Sequence, residues 1–201
     1  RAEYEDPVPL LYQSGYLTIK NYDAIFDEYI LGFPNEEVKY GFFKELIYVY
    51  MPGKNMRGEF RIANFVEELW ANDVDGFMNR IRAFFAGIPY DLNNKEEKHF
   101  QTVFFVLFKL MGQFVEVKPH FATSRADAVV TTKDTVYVFE FKITETSTAE
   151  KALQQIDEKG YVIPYTAKGK RIIKIGVEFS KEARGITDWK IEEEKEIIIK
   201  K

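Results

Sequence analysis

Asp127, Glu140 and Lys142 are the residues of this sequence whose types and spacing suit chemistry on a charged substrate. Asp127 ends the segment Ser124-Arg125-Ala126-Asp127, while Glu140 and Lys142 sit two apart in the alternating run Val136-Tyr137-Val138-Phe139-Glu140-Phe141-Lys142. Lys133-Asp134 is a turn signal, so the runs on either side should pair as an antiparallel hairpin. A two-residue turn there and a four-residue loop from Thr132 to Thr135 give the same register. Asp127 then faces Glu140, Val129 faces Val138 and Arg125 faces Lys142. Because side chains alternate across a sheet, Asp127, Glu140 and Lys142 share one face, and Tyr137, Phe139 and Phe141 line the other. Like charges directly opposed destabilise a sheet, most of all where water is scarce. A bound divalent cation, or a salt bridge to Arg125 or Lys142, would compensate them. On a solvent-exposed hairpin the pair would cost little and need neither.

The elements that must position these residues follow from periodicity. Leu10 to Lys20 reads as a short hairpin around Ser14-Gly15. A helix follows Pro34-Asn35, with Asn35 as cap, Glu36 and Glu37 at its positive end, and Phe42, Leu46 and Tyr50 on one side. Pro52-Gly53 stops it near Met51. Two further helices are expected over Arg61 to Trp70 and, capped by Asp73, over Val74 to Ala86, with Gly87 and Pro89 ending the run. A polar loop from Tyr90 to Lys95 precedes a long helix from about Lys95 to Met111, closed by Gly112. The period then changes to two. Phe114 to Val117, Ala126 to Thr131 and Val136 to Ile143 read as strands. A helix over Thr148 to Lys159, a strand over Arg171 to Phe179 and a last edge run at Glu196 to Ile199 complete the order. The composition shift near Tyr90 divides a mainly helical region, residues 1–89, from an α/β region, residues 90–201.

A chain of 201 residues can bury one core, or one core plus a smaller unit. The sequence holds 18 Phe and 12 Tyr but no Cys, which excludes disulfides, thiolate metal sites and a Cys nucleophile. The most apolar stretch, Val103 to Met111, is broken by Lys109 and falls short of the roughly 20 residues a bilayer demands. No signal-peptide pattern opens the chain, so a cytoplasmic location is expected, and an N-terminal Arg suggests a fragment of something longer. A net charge of −4 argues against a generic basic coat for nucleic acid. One local basic groove is conceivable, from Lys168, Lys170, Arg171 and Lys174 on to Lys181 and Arg184, although a solvated face is the commoner meaning of such a cluster.

Three segments together resemble the PD-(D/E)XK nuclease superfamily: Ser124-Arg125-Ala126-Asp127, Val136 to Lys142, and Ala152-Leu153-Gln154-Gln155-Ile156. More narrowly they resemble the nuclease-like domain that follows an AAA-ATPase-like domain in a large group of bacterial proteins. Tyr161, the stretch Ile172 to Ser180 and Trp189 also fall where that pattern expects them, so the resemblance covers about Tyr90 to Lys190. Ser124 stands where the pattern usually has Gly. Tyr12 to Leu17 and Leu31 to Val38 resemble the segment joining the two domains, which implies that an ATPase-like core lies outside this chain. The resemblance implies a restriction-endonuclease-like α/β (α+β) core, a central mixed sheet flanked by helices, preceded by a small, mainly helical region. It makes Asp127 and Glu140 ligands of Mg²⁺ or Mn²⁺, with the backbone carbonyl of Phe141 as a third. Lys142 would position or deprotonate the attacking water. Glu97, in the first turn of the long helix, and Gln155 would complete the site.

The implied activity is Mg²⁺-dependent hydrolysis of phosphodiester bonds in nucleic acid, DNA first. The alternative is a nuclease fold without cleavage, serving nucleic-acid or protein binding for an AAA-type ATPase. His99 and His120 read more readily as structural or loop residues than as ligands. Aromatic residues of the first half, such as Phe42, Phe43, Tyr48 and Tyr50, read as core, or as a surface packing on the missing domain or a second copy. Since the sequence has no Gly-rich loop ending in Gly-Lys-Ser/Thr, the chain is not expected to bind ATP by itself.

Overall fold

The computed structural model describes residues 6–50, 60–88, 97–112, 114–119, 126–142, 148–180, 182–183 and 185–194. The chain divides into two compact units, Arg1–Leu46 and Ile47–Lys201. This differs from the boundary near Tyr90: the helices of 62–86 belong to the same unit as the sheet.

In the first unit, helix α1 (Val8–Gln13) precedes a two-stranded hairpin, β1 (Thr18–Asp23) and β2 (Glu28–Gly32). The hairpin expected around Ser14-Gly15 therefore lies further along. Asp6 accepts the Val8 N–H and Pro7 presets φ at −71°, which starts a helical turn instead. Gly15, at φ 81°, then follows that turn rather than forming a β-turn between strands. Helix α2 (Glu36–Tyr50) starts where expected, with Asn35 Oδ1 accepting the Val38 N–H at 2.8 Å.

The second unit is built on a five-stranded mixed sheet of order β3-β4-β5-β6-β7. The strands are β3 (Glu116–Pro119), β4 (Ala128–Thr131), β5 (Thr135–Lys142), β6 (Arg171–Ser180) and β7 (Gly185–Glu193). β5 and β6 run parallel, and every other pair is antiparallel. The β4/β5 register has Val129 opposite Val138, as the turn chemistry predicts. Helix α3 (Ile62–Trp70), helix α4 (Val74–Ala86) and helix α5 (Glu97–Met111) bring an aromatic layer to one face. Phe77 and Phe108 meet Phe139, Phe104 meets Phe141 at 4.3 Å, and Phe100 meets Phe179 at 4.4 Å between ring centroids. Tyr137, on the same face, donates to the Leu69 carbonyl at 2.6 Å. This face is held by large rings, each burying a wide apolar area.

The other face is covered by helix α6 (Ala149–Glu158), the crossover between parallel β5 and β6. Thr148 caps it, accepting the Lys151 N–H, and Ala149, Ala152 and Ile156 form its buried stripe. Ala149 and Ala152 let the helix approach the sheet closely at Gly176. A Cβ on Gly176 would lie 2.2 Å from the Ala149 carbonyl oxygen and 2.7 Å from the Leu153 nitrogen. Gly176 pairs with Glu140 across the parallel ladder, so the closest point of helix and sheet lies beside the Glu140 side chain.

β3, β4 and β7 differ from expectation, β4 by starting at Ala128 instead of Ala126. β3 starts at Glu116 because the amides of Phe114 and Val115 both donate to Met111, prolonging the turn out of α5. β7 had no counterpart among the predicted strands. As an edge strand it exposes Asp188, Lys190, Glu192 and Glu193, and only Ile186 is buried. The run Glu196 to Ile199, Pro52-Gly53, Pro89 and the loop Tyr90 to Lys95 lie outside the described residues.

Gly176→Ala should lower the unfolding free energy by about 1–3 kcal/mol, the usual cost of overpacking a filled interior. Urea denaturation measures it, and an unchanged midpoint would contradict the close approach of α6.

Candidate functional site

The site lies at the carboxyl end of β5, on the face that α6 covers. Strand alternation sends Glu140 and Lys142 to this face, while Phe139 and Phe141 anchor the strand in the aromatic layer behind it. Asp127 sits just before β4, and its Oδ2 accepts the Phe141 backbone N–H at 2.8 Å. That bond ties one carboxylate to the strand that carries the other. Gln155 reaches from α6 to bridge Glu140 and Lys142: its amide nitrogen donates to Glu140 Oε1 and its oxygen accepts from the Lys142 ammonium. Lys142 Nζ also lies 3.3 Å from Glu140 Oε1.

Glu140 is only 4 % exposed, so the solvent-exposed hairpin is ruled out as its setting. Burial pushes its carboxyl pKa up, against the opposing pull of Lys142 and of the hydrogen bonds from the Asp127 backbone and Gln155. Compensation is thus incomplete. Lys142 and Gln155 both engage Oε1, and Oε2 is buried with no hydrogen bond. Among the described residues one other buried side-chain oxygen lacks a partner, Glu68 Oε2, and its carboxylate is already engaged by Arg80. An unpaired oxygen on a buried carboxylate costs more than a lost neutral hydrogen bond, because the charge has left water.

A divalent cation fits this donor set. Mg²⁺ prefers carboxylate oxygens, is commonly held by one or two carboxylates, and keeps waters or substrate oxygens for the rest. Among the described residues no three His, Cys, Asp or Glu side chains gather into a metal-binding group, so the two carboxylates would need oxygen from backbone or solvent. The Phe141 carbonyl is one such source, since N–H and C=O of a strand residue leave on the same side and its N–H already points to Asp127.

Of the predicted site residues, Asp127, Glu140, Lys142 and Gln155 come together in this way. Glu97 opens α5, but its side chain and that of His99 lie outside the described residues, as do His120 and Arg125. Of the expected basic groove, Lys181, Arg184 and the Lys168 side chain lie outside the described residues, and the three described cations are each engaged by acceptors of the fold. Lys174 is 2 % exposed and is held by Asp157, Glu192 and Glu194, which raise its pKa against the large opposing effect of burial. Arg171 pairs with Glu193, and Lys170 donates to the Thr132 carbonyl. One feature had no sequence signal of its own, the Asp127 bond to a backbone amide, whereas Tyr161, which the resemblance had placed, packs against the apolar cluster that includes Val138 and Ile156.

The five-stranded mixed sheet with helices on both faces is a restriction-endonuclease-like α/β fold. Residues 95–189, which carry β3 to β6, the first part of β7, α6 and every residue of the site, match the family model of the PD-(D/E)XK nuclease superfamily. An "Uncharacterized protein in vnfD 5'region" of Azotobacter chroococcum mcd 1 is 36% identical over 192 residues, covering 91% of this chain and 37% of that protein. The chain therefore spans well under half the length of that curated relative. No solved structure matches it. Among the described residues no helix is long and apolar enough to cross a membrane.

The raised pKa of Glu140 fixes the sign of a pH effect. The native state holds this proton to higher pH than the unfolded chain does, so the stability linked to it is full below the ordinary Glu value and is lost as pH rises through the native value. In chelator, Glu140→Gln should remove that decline, and its stability relative to wild type should grow as pH rises above the ordinary Glu range. Urea denaturation across pH tests this, and parallel curves for the two proteins would refute it.

Proposed function

We propose that this chain is a metal-dependent nuclease domain that hydrolyses phosphodiester bonds in nucleic acid, with DNA the first substrate to test. The observation that carries the reading is the buried, unpartnered Glu140 Oε2, on a carboxylate set beside Asp127 and Lys142. Proteins of the matched superfamily usually use divalent metals. Asp127, Glu140 and the Phe141 carbonyl would hold Mg²⁺, or Mn²⁺ in its place. Such an ion, when bound, polarises a phosphate oxygen and lowers the pKa of a coordinated water.

The remaining work falls to the protein's own groups. Lys142, half-buried and anchored by Gln155, carries fixed positive charge beside the carboxylates, where it offsets the negative charge that a phosphate gains as the nucleophile attacks. Its ammonium protons can also orient the attacking water. Gln155 bridges Lys142 and Glu140, which also meet directly at 3.3 Å, so the cation and the anion of the site are held together by two contacts. The Asp127 bond to the Phe141 amide limits rotation of that carboxylate, a form of pre-organisation. Within a longer polypeptide, an ATPase-like region preceding this chain would be the partner that delivers substrate.

A second reading, a nuclease fold that binds without cutting, draws support from the charge arrangement. Arg171 and Lys174 are neutralised by carboxylates, and the net charge is −4, so affinity for a phosphate backbone must come from elsewhere.

Incubating the chain with supercoiled DNA, single-stranded DNA and RNA in Mg²⁺ or Mn²⁺ separates the two. The nuclease reading expects chelator-sensitive cleavage that falls by about 10²-fold or more in Asp127→Ala, Glu140→Ala and Lys142→Ala, the scale of losing one strong electrostatic group. Cleavage that survives both carboxylate substitutions would refute it.

A further inference from the structure

Helix α6 carries Gln155 to the site, so whatever fixes the helix over the sheet also fixes the reach of that side chain. Ala149, Leu153 and Asp157 succeed one another four residues apart, which puts them on one row of the helix. That row follows β6. Ala149 and Leu153 lie against Gly176, and two residues back along the strand the Lys174 ammonium donates to Asp157 Oδ1 at 2.7 Å. The first contact sets how near the helix can come but gives little direction, because apolar contact is non-directional. The second is a charge-assisted hydrogen bond, and it is directional. Together the two points set the turn of α6 about its own axis, and with it the place from which Gln155 reaches Glu140 and Lys142. Side-chain hydrogen bonds reach little further than roughly 3.2 Å, so a displacement of about 1 Å would break both of its bonds.

Asp157 brings no benefit to the helix itself. It stands in the last turn, where the negative end of the helix dipole disfavours an acidic side chain. Lys174 also has other counter-charges, since Glu192 at 2.7 Å and Glu194 at 3.1 Å face the same ammonium. What Asp157 alone among the three supplies is a link from that ammonium to α6.

We infer that Asp157 is a positioning residue of the candidate cation site: held by Lys174, it sets α6 so that Gln155 engages Glu140 through Oε1 and leaves Oε2 for the cation. This role rests on the cation-binding reading of the Asp127/Glu140 pair. Asp157 touches neither cation nor substrate in this scheme and acts through Gln155.

The test is calorimetric titration of the 201-residue chain with Mn²⁺ alone, in wild type, Asp157→Ala, Glu192→Ala, Gln155→Ala and the Asp157→Ala/Gln155→Ala double variant. Glu192→Ala is the matched control. It removes the same charge and an equally short bond from the same ammonium, from a side chain of similar exposure, 55 % against 49 %, but one that stands on β7. Asp157→Ala should weaken Mn²⁺ binding by about threefold to tenfold, the scale of one hydrogen bond, while Glu192→Ala leaves it unchanged. In the Gln155→Ala background Asp157→Ala should have no further effect, whereas a mere loss of negative charge would act there too. Unfolding midpoints of the same samples confirm that each variant is folded, and Asp157→Asn takes the place of Asp157→Ala if that variant does not fold. Equal losses in Asp157→Ala and Glu192→Ala, or a loss that persists without Gln155, overturn the proposal. Wild type that binds no Mn²⁺ defeats the cation reading and this role with it, whereas wild-type binding that Asp157→Ala leaves untouched defeats this role alone.

Discussion

A carboxylate held out of water with one oxygen unpaired is the constraint around which the sheet unit is arranged. Glu140 sits in the middle of a sheet, 4 % exposed, and no nearby cation fully offsets its burial. Most buried charges are paired and hydrogen-bonded, because leaving one uncompensated costs several kcal/mol. Here Lys142 and Gln155 satisfy half of the group and stop there. A fold that retains such a residue must recover the cost elsewhere, and the two layers around β5 show how it does so.

Behind β5, rings from Phe77, Phe104 and Phe108 clamp Phe139 and Phe141, which fixes the strand's height and twist. In front, the small residues of α6 meet Gly176 and bring the helix close enough for Gln155 to reach the strand. Large side chains therefore supply stability on one face, and small ones supply proximity on the other. Lys174, buried on β6 among carboxylates from α6 and the β7 end, pins the same helix to the sheet through Asp157. Thus α6 is held at both ends, and the site residues it carries inherit that rigidity.

Much of this was legible in the sequence, for identifiable reasons. The Lys133-Asp134 turn and the strict alternation of Val136 to Lys142 determined the register and the face of Glu140, since a one-residue slip would reverse every side chain. Helix limits were readable wherever a cap carried its own chemistry, as at Asn35, Asp73 and Thr148. Legibility failed where tertiary context replaced local pattern. β7 is charged along its length and pairs only because β6 offers an edge, so no period of two marks it. Ser14-Gly15 has the composition of a turn but adjoins a helix started by Asp6 and Pro7. The compositional change near Tyr90 separates helices from strands, yet α3 and α4 pack in the same unit as the sheet, Phe77 against Phe139 and the Leu69 carbonyl on Tyr137. The basic cluster around Lys174 could not be judged from sequence, because its counter-charges come from α6 and from residues after β7 begins.

The central claim is that the spare oxygen of Glu140 exists for a cation shared with Asp127. Anomalous diffraction from crystals soaked in Mn²⁺ tests it most directly. The account predicts a single strong peak between Asp127 and Glu140 Oε2, with Lys142 and Gln155 still on Oε1. No peak at that place, or Glu140 Oε2 turned onto a protein donor instead, would contradict it.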